Sequence, residues 1–496
     1  MPTRNYVSGA ARLVRRLSTF MMTVSITLAA CNPSSSVSIA ATSTPVPTPT
    51  QIQVTPLPTR PVYQPGELVD YIAQTGDTLP ALALHFNTTV KEILAANSII
   101  PQDATTMPPG FPMKIPIYYQ PLWGSSYQII PDSLFVDGPS AIGFNTTQFV
   151  SQHPGWLKGY VEYAADANRS GANIVDYVAT TFSISPRVLL ALLEYQAGAL
   201  SNPTKPDTDY VLGYEDYAHK GVYLQLVYAA NVLNNGYYGW RKGSLKEFDL
   251  LDGRLERPDP WQNAATVGLR YYFSKFLQPD KYQIATEAPG YAQTWRNLLG
   301  DPWQDPKPHI PGSLKQPSFL LPFPAGHTWA FTGGPHTGWG DGEPFSAIDF
   351  APGSMESGCV SNSDYATAVA DGIIARVGEG VAVLDLDGDG DERTGWVVFY
   401  LHIAAEGRVT LYSRLKAGDP IGHPSCEGGI ATGTHAHIAR KYNGEWILAD
   451  GPLAFNLENW ISHDGPKAYQ GTLTRFGNTV TACTCADASS QLTAGK

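Results

Sequence analysis

The stretch Gly433-Thr-His-Ala-His-Ile-Ala-Arg-Lys-Tyr442 decides the fold of the C-terminal part of this chain and points to its chemistry. Residues i and i+2 of a β-strand project from one face, about 7 Å apart along the strand. His435 and His437 can therefore address one point. The common reason for two imidazoles to do so is a metal ion and the water it activates. Three upstream segments keep this pair company: Tyr400-Leu-His402, Ser346-Ala-Ile-Asp349-Phe350 and Gly333-Gly-Pro-His336.

Around these residues, from about Pro317 onward, short alternating runs are separated by Gly, Pro and Asp. Examples are HTWAFTGG, ATAVADGIIARV, VAVLDLD, GWVVFYLHI and EWILADG. Turns every several residues with period-two alternation predict an antiparallel all-β domain. Residues 120–310 have a different texture. NIVDYVATTF, RVLLALLEYQAG, VYLQLVYAANVL and NAATVGLRYYFSKF carry an apolar period near 3.6 and predict a mainly α domain.

At 496 residues the chain has room for three domains of about 150 residues each. A net charge of −11 with few charged side chains argues against nucleic acid as a partner. The N-terminus reads as an address. Arg4, Arg12, Arg15 and Arg16 precede the apolar run LSTFMMTVSITLAA, too short for a comfortable membrane span and suited to a signal peptide. Leu28-Ala-Ala-Cys31 resembles the bacterial lipobox, which implies a lipid on Cys31 and anchoring to a membrane; a plain secretory peptide with an incidental cysteine is the alternative.

Residues 32–68 are rich in Ser, Thr and Pro, cannot bury a core, and read as a semi-rigid stalk. Beyond Cys31 four cysteines remain, Cys359, Cys426, Cys483 and Cys485. An even number in an exported protein suggests two disulfides. Three pairings are open, and a Cys483–Cys485 bridge would be strained without being excluded.

Residues 69–118 resemble a LysM domain along their whole length. The Gly76-Asp-Thr-Leu79 turn, the helix ending in His85-Phe86, the ILAAN stretch and the Pro109-Gly110 turn before Lys114-Ile-Pro fall in that family's order. The resemblance implies a small βααβ fold with a shallow groove for N-acetylglucosamine-containing glycan. The groove would involve Gly76, Asp77, Thr78 and Leu79 on one side and Asn97, Ser98, Ile99 and Ile100 on the other.

Within residues 119–312, SPRVLLALLEYQAG and GVYLQLVYAANVL are similar to core helices of lysozyme-like lytic transglycosylases. The position of that family's catalytic acid holds Gln196, which cannot donate a proton to a glycosidic oxygen. Glu194 lies two residues earlier, about 200° round the helix. The resemblance thus implies a degenerate domain that holds glycan or spaces the two ends. A transglycosylase using Glu194 and a plain helical spacer are the alternatives.

Residues 313–496 resemble the lysostaphin-type (LytM) zinc peptidases, and among them the β-lytic branch. Compact members place a His four residues before the ligand Asp, where this chain has Phe345. The β-lytic branch sets the first His about a dozen residues back in a GG-x-H segment, and His336 precedes Asp349 by thirteen. The resemblance implies one Zn²⁺ held by His336, Asp349 and His437, with a fourth position left open. It leaves His402 and His435 for proton transfer with water, the tetrahedral intermediate and the leaving amine. Cys426 falls where this branch tends to carry a disulfide cysteine, and Cys359–Cys426 is the favoured pairing.

DLDGDGDERTG sets Asp385, Asp387, Asp389 and Asp391 at alternate positions, like the start of a calcium loop. Trp396 stands where the bidentate Glu belongs, so a solvated acidic hairpin is the preferred reading over Ca²⁺. Together these observations lead to an envelope-anchored, extracytoplasmic zinc endopeptidase acting on peptidoglycan peptides and positioned on glycan by LysM. The alternatives are a non-catalytic wall-binding protein or hydrolase activator, and a secreted endopeptidase for foreign walls or proteins.

Overall fold

Alternation of apolar residues in ELVDYI and PMKIPI sets strand β1 (Glu67–Ile72) antiparallel to β2 (Pro112–Ile117), with helices α1 (Leu79–His85) and α2 (Val90–Ala96) between them. The βααβ expectation holds. Thr78 caps α1 by accepting from the Ala81 N–H, and Thr89 with Glu92 forms a capping box on α2. Leu82, Phe86, Ile93, Ile115 and Ile117 fill the small core. The computed structural model describes residues 62–121, 123–353, 358–485 and 487–495. The signal peptide, Cys31 and most of the 32–68 stalk lie outside the described residues; the last two stalk positions, Glu67 and Leu68, already belong to β1.

The middle region is helical, as the 3.6 period requires. Its main helices are α3 (Gly171–Phe182), α4 (Pro186–Ala197), α5 (Gly221–Lys242), α6 (Ala264–Phe276) and α7 (Tyr291–Leu299). Ser170 caps α3, and left-handed Gly198 and Gly243 end α4 and α5. Glu194 and Gln196 have structural work. The Glu194 carboxylate accepts from the N–H groups of Leu200 and Ser201, closing the end of α4. Gln196 donates to the Leu212 carbonyl and accepts from the Tyr272 hydroxyl.

The C-terminal region is built on an antiparallel sheet. Its strands include β3 (Thr328–Thr337), β4 (Phe345–Pro352), β5 (Gly372–Gly378), β6 (Val381–Asp385), β7 (Trp396–Leu401) and β8 (Ala436–Tyr442). Across the sheet the order of these strands is β5-β6-β7-β8-β4-β3. Short strands Arg414–Leu415 and Gln491–Thr493 flank the two ends, and Glu445–Trp446 folds back on β8.

Period-two alternation divides the sheet into two apolar faces. Ile348, Phe350, Leu384, Val398, Tyr400, Ala436 and Ile438 join a core with Phe323, Trp329 and Phe331. Ala347, Val383, Val397, Phe399, Leu401 and Ala439 face the other way and share one core with α3, α4, α5 and α6. The helical and β regions are thus two sides of one hydrophobic core.

A buried charge cluster joins all three regions. Arg241 of α5 pairs with Glu445 at 3.0 Å and Asp132 at 3.1 Å, and donates to the Thr75 carbonyl of the LysM unit. His309 is 2.5 Å from Glu445. Burial alone would push Glu445 up; Arg241 and His309 outweigh it and hold the carboxyl at about 2.

The two expected disulfides both form, and one expectation needs correction. The structure forms Cys359–Cys426 as favoured, and Cys483 and Cys485 also pair with each other, their Cα atoms 5.1 Å apart. One intervening residue still lets the Cα atoms sit within disulfide reach. The acidic hairpin is not solvated throughout: Asp385 is fully buried, and its carboxylate accepts from the N–H groups of Asp387, Gly388 and Gly390. Asp385, Asp387 and Asp389 do lie close enough together to hold an ion, and the turn's own N–H groups meet the charge of Asp385.

Candidate metal centre

Strand pairing brings the distant segments of the sequence together. His437 on β8 is opposite Asp349 on β4, and Asp349 is in turn opposite Gly333 on β3. On its other side His437 is opposite Leu401, so His402 arrives at the end of β7. Irregular register on β3 between Gly333 and His336 turns His336 toward the same point.

His336 Nε2 and His437 Nδ1 each lie 3.3 Å from Asp349 Oδ1 and 3.0 Å from one another. The opposite ring nitrogens are committed elsewhere: His336 Nδ1 to the Gly334 carbonyl at 2.8 Å, and His437 Nε2 to the Gly338 carbonyl at 3.2 Å. Those carbonyls accept the ring protons, which leaves the inner nitrogens as lone-pair donors. Asp349 Oδ1 is buried without a hydrogen-bond partner. An orphaned carboxylate oxygen beside two inward lone pairs fits a borderline divalent cation such as zinc.

Burial lowers His437, and burial with the neighbouring histidines lowers His402 to about 3. Both rings are therefore neutral, the form that binds metal or accepts a proton.

His435 and His402 stand beside the three inward-facing groups. Their ring centroids are 4.5 Å apart, and His435 Nε2 is 3.7 Å from Asp349 Oδ1. His435 Nδ1 bonds the Gly433 carbonyl and His402 Nδ1 the Glu427 carbonyl, so both present Nε2. His402 has φ +61°, a strained value for a residue with a Cβ. The N–H and hydroxyl of Ser425 both donate to its carbonyl, and the neighbouring Cys426 is tied to Cys359.

Several contributors left little trace in the sequence. Tyr469 stacks on His336 with ring centroids 4.0 Å apart. Gly333 is required because a Cβ there would collide with Asp349 Oδ2. The loop following His336 is held by α5: Asn231 Oδ1 accepts from the Asp341 N–H at 2.8 Å, and Asn235 Oδ1 accepts from the Glu343 N–H at 2.7 Å. His336, Asp349, His402 and His437 are all at most 5% exposed. Only the Gly-Gly before His336 offered a sequence signal, through the close approach it permits.

The eight LysM residues divide differently. Asn97 braces the unit by donating to the Ile93 and Lys114 carbonyls, while Leu79 and Ile100 are in its core. Asp77 turns inward to accept from the Tyr71 hydroxyl and the Gln74 N–H, Thr78 is the helix cap, and a Cβ at Gly76 would meet the Arg241 guanidinium at 2.7 Å. Thr75 and Thr106, flanking that turn in space, bond Ile310 and Pro311. Ser98 and Ile99 are the two exposed members.

Comparison with known proteins assigns two of the regions to families. Residues 71–116 match the LysM domain model, and residues 128–313, expected from the sequence to be lysozyme-like, match the LasA N-terminal domain model instead. Protease LasA of Pseudomonas aeruginosa strain UCBPP-PA14 is 25% identical over 342 residues, 64% of this chain and 75% of the relative. The beta-lytic metalloendopeptidase of Achromobacter lyticus is 30% identical over 145 residues, 27% of this chain and 36% of the relative. Among solved structures, the deep-sea M23 metalloprotease pseudoalterin aligns at 23% identity with a TM-score of 0.29, covering 34% of this chain and 96% of its own. Lysostaphin from Staphylococcus simulans aligns at 22% identity with a TM-score of 0.17, covering 25% and 48%. The chain carries a LysM domain followed by a LasA N-terminal domain, and it is a homologue of protease LasA and, over part of its length, of beta-lytic metalloendopeptidase.

Proposed function

We propose that this protein is an extracytoplasmic zinc endopeptidase that hydrolyses peptide bonds of peptidoglycan, anchored by a lipid on Cys31 and held on the wall by LysM. The observation that carries the reading is the convergence of His336 Nε2, His437 Nδ1 and the unpartnered Asp349 Oδ1 on one buried point. These three residues would hold the ion. When bound, zinc supplies Lewis-acid polarisation of the scissile carbonyl and of water.

The chain's own residues do the rest. The Gly334 and Gly338 carbonyls fix the rings of His336 and His437 with their lone pairs inward. His435, through Nε2, accepts the proton of the attacking water, and His402, neutral at Nε2, relays that same proton to the departing amine nitrogen. The burial that keeps His402 neutral suits it to pick up that proton only transiently. The LysM match supports a glycan-bearing substrate, with Ser98 and Ile99 as the accessible side of its groove.

The test is zinc analysis of the purified chain together with release of free amino groups from purified cell walls. Wild type is expected to bind one zinc and release amino groups, and His437→Ala to do neither. Wild type that binds no zinc and releases no amino groups overturns the proposal.

A further inference from the structure

The first strand and turn of the LysM unit meet the helical region along a cleft of about 500 Å³. Tyr71 and Gln74 line it from the LysM side, and Gln128, Trp261, Asn263 and Trp303 from the other. This is not the groove beside Ser98 and Ile99, which lie on a different loop of the unit.

Three features define what the cleft can hold. First, it combines indole faces with side-chain amides, the pairing that meets the CH faces and the polar substituents of a sugar ring. Trp303 is 39% exposed, unusually open for an indole. Gln74 and Gln128 both donate to the Trp261 carbonyl, so their amides are set before any ligand arrives.

Second, the cleft contains an unmet acceptor. Asn263 is 5% exposed, and its Oδ1 is buried with no hydrogen-bond partner. The amide cannot be turned over, because its nitrogen donates to the Ile130 carbonyl and to Asp132 Oδ1, both at 2.7 Å. The free oxygen calls for a hydroxyl or amide N–H from a ligand.

Third, the charges nearby are already neutralised. Asp132 pairs with Arg241 at 3.1 Å, Asp70 with Lys114 at 2.6 Å and Lys307 with Asp305 at 2.8 Å. An uncharged ligand fits such a lining better than an ionic one.

We propose that this cleft is a second carbohydrate site, taking a neutral acetamido sugar segment of about two rings. The acetamide N–H meets Asn263 Oδ1, and a ring face lies on Trp303. The proposal deepens the reading of the chain as a wall-glycan binder, and it rests on that reading only for the source of the sugar.

The test is calorimetric titration of the full chain with tetra-N-acetylchitotetraose and, as a neutral sugar without acetamides, maltotetraose. Trp303→Ala should weaken chitotetraose binding by about tenfold or more, Trp303→Phe should retain most of it, and Ile99→Ala should leave the Trp303-dependent binding in place. Maltotetraose should bind more weakly than chitotetraose. Unchanged thermal unfolding of Trp303→Ala will show that the variant folds. Trp303→Ala titrating like wild type, or wild type giving no heat with chitotetraose, overturns the proposal. Zinc content and peptide hydrolysis are read separately, on the wild-type chain. Their loss in wild type would defeat the peptidase reading without touching the titration.

Discussion

His437 and Asp349 sit opposite one another across paired strands, Nδ1 to Oδ1 3.3 Å, with His336 Nε2 equally close to a carboxylate oxygen that accepts no hydrogen bond. This arrangement costs the protein stability unless a cation fills it. Stripping the ion with a chelator is therefore expected to lower the unfolding temperature, and restoring zinc should recover it. Asp349→Ala should abolish both the zinc-dependent shift and wall hydrolysis, read by differential scanning calorimetry and amine release.

Gly333 lies against the side of Asp349 that carries Oδ2. Gly333→Ala forces that carboxylate to move while deleting none of the three inward groups. Zinc affinity is expected to fall by about 10- to 100-fold, as for other changes that disturb ligand orientation. Competition with a chromophoric chelator measures it, and near-wild-type circular dichroism will separate the effect from misfolding.

The loop beginning at Gly338 is closed on the centre by amides from α5. Trp339 in that loop lies edge-on to Phe399, which is itself edge-on to His437. Asn231→Ala with Asn235→Ala removes the two bonds that pin Asp341 and Glu343. At about 1 kcal/mol for each bond, the loop-open population should rise by about tenfold or more. Hydrolysis of a short peptide should quicken accordingly, and hydrogen exchange of residues 338–343 should rise with it. No gain in either would mean the loop is held by its packing instead.

Acid should loosen the junction of the three regions. Glu445 has its carboxyl held at about 2, against an ordinary value of 4.5, and Glu392 is held at about 2 by Arg376 and Lys441 against the upward push of burial. A depressed carboxyl contributes stability above its unfolded pKa and loses it as the pH falls. The contribution is thus complete above about pH 4.5 and decays toward pH 2. Glu445→Gln should flatten that acid dependence in urea titrations. It should also lower stability at neutral pH by about 3 to 5 kcal/mol, because Arg241 is left buried against an uncharged amide.

The site was legible in the sequence where its residue types and spacing are local. His435 and His437 share a strand by their two-residue spacing, whereas His336 was legible only through the resemblance to the β-lytic branch, and the structure returns it to Asp349 through a hairpin. The helices were legible through their apolar period, as in α4 and α5. Tyr469, Asn231 and Asn235 were not, because each reaches the centre from a segment whose local pattern serves another purpose. Asn231 and Asn235 are simply exposed-face residues on a helix until the β region folds against them. Asp385 was misread for a similar reason: acidic alternation says nothing of backbone N–H groups folding over one carboxylate. The inward turn of Asp77 toward Tyr71 and Gln74 was not legible either, because its turn position says nothing of which way the carboxylate faces.

The face of the sheet that carries Asp349 and His437 continues into Ala347, Phe399 and Ala439, which share their core with the helices. The border between the two regions is consequently a line in the gene more than a line in the energy. A β region produced alone would present that apolar face bare, and a contiguous apolar surface of this kind drives association with any available partner. Evolution could shorten or exchange the helical part only together with compensating polar changes along β7 and β8. Each residue at the seam thus constrains what its neighbour across it can be.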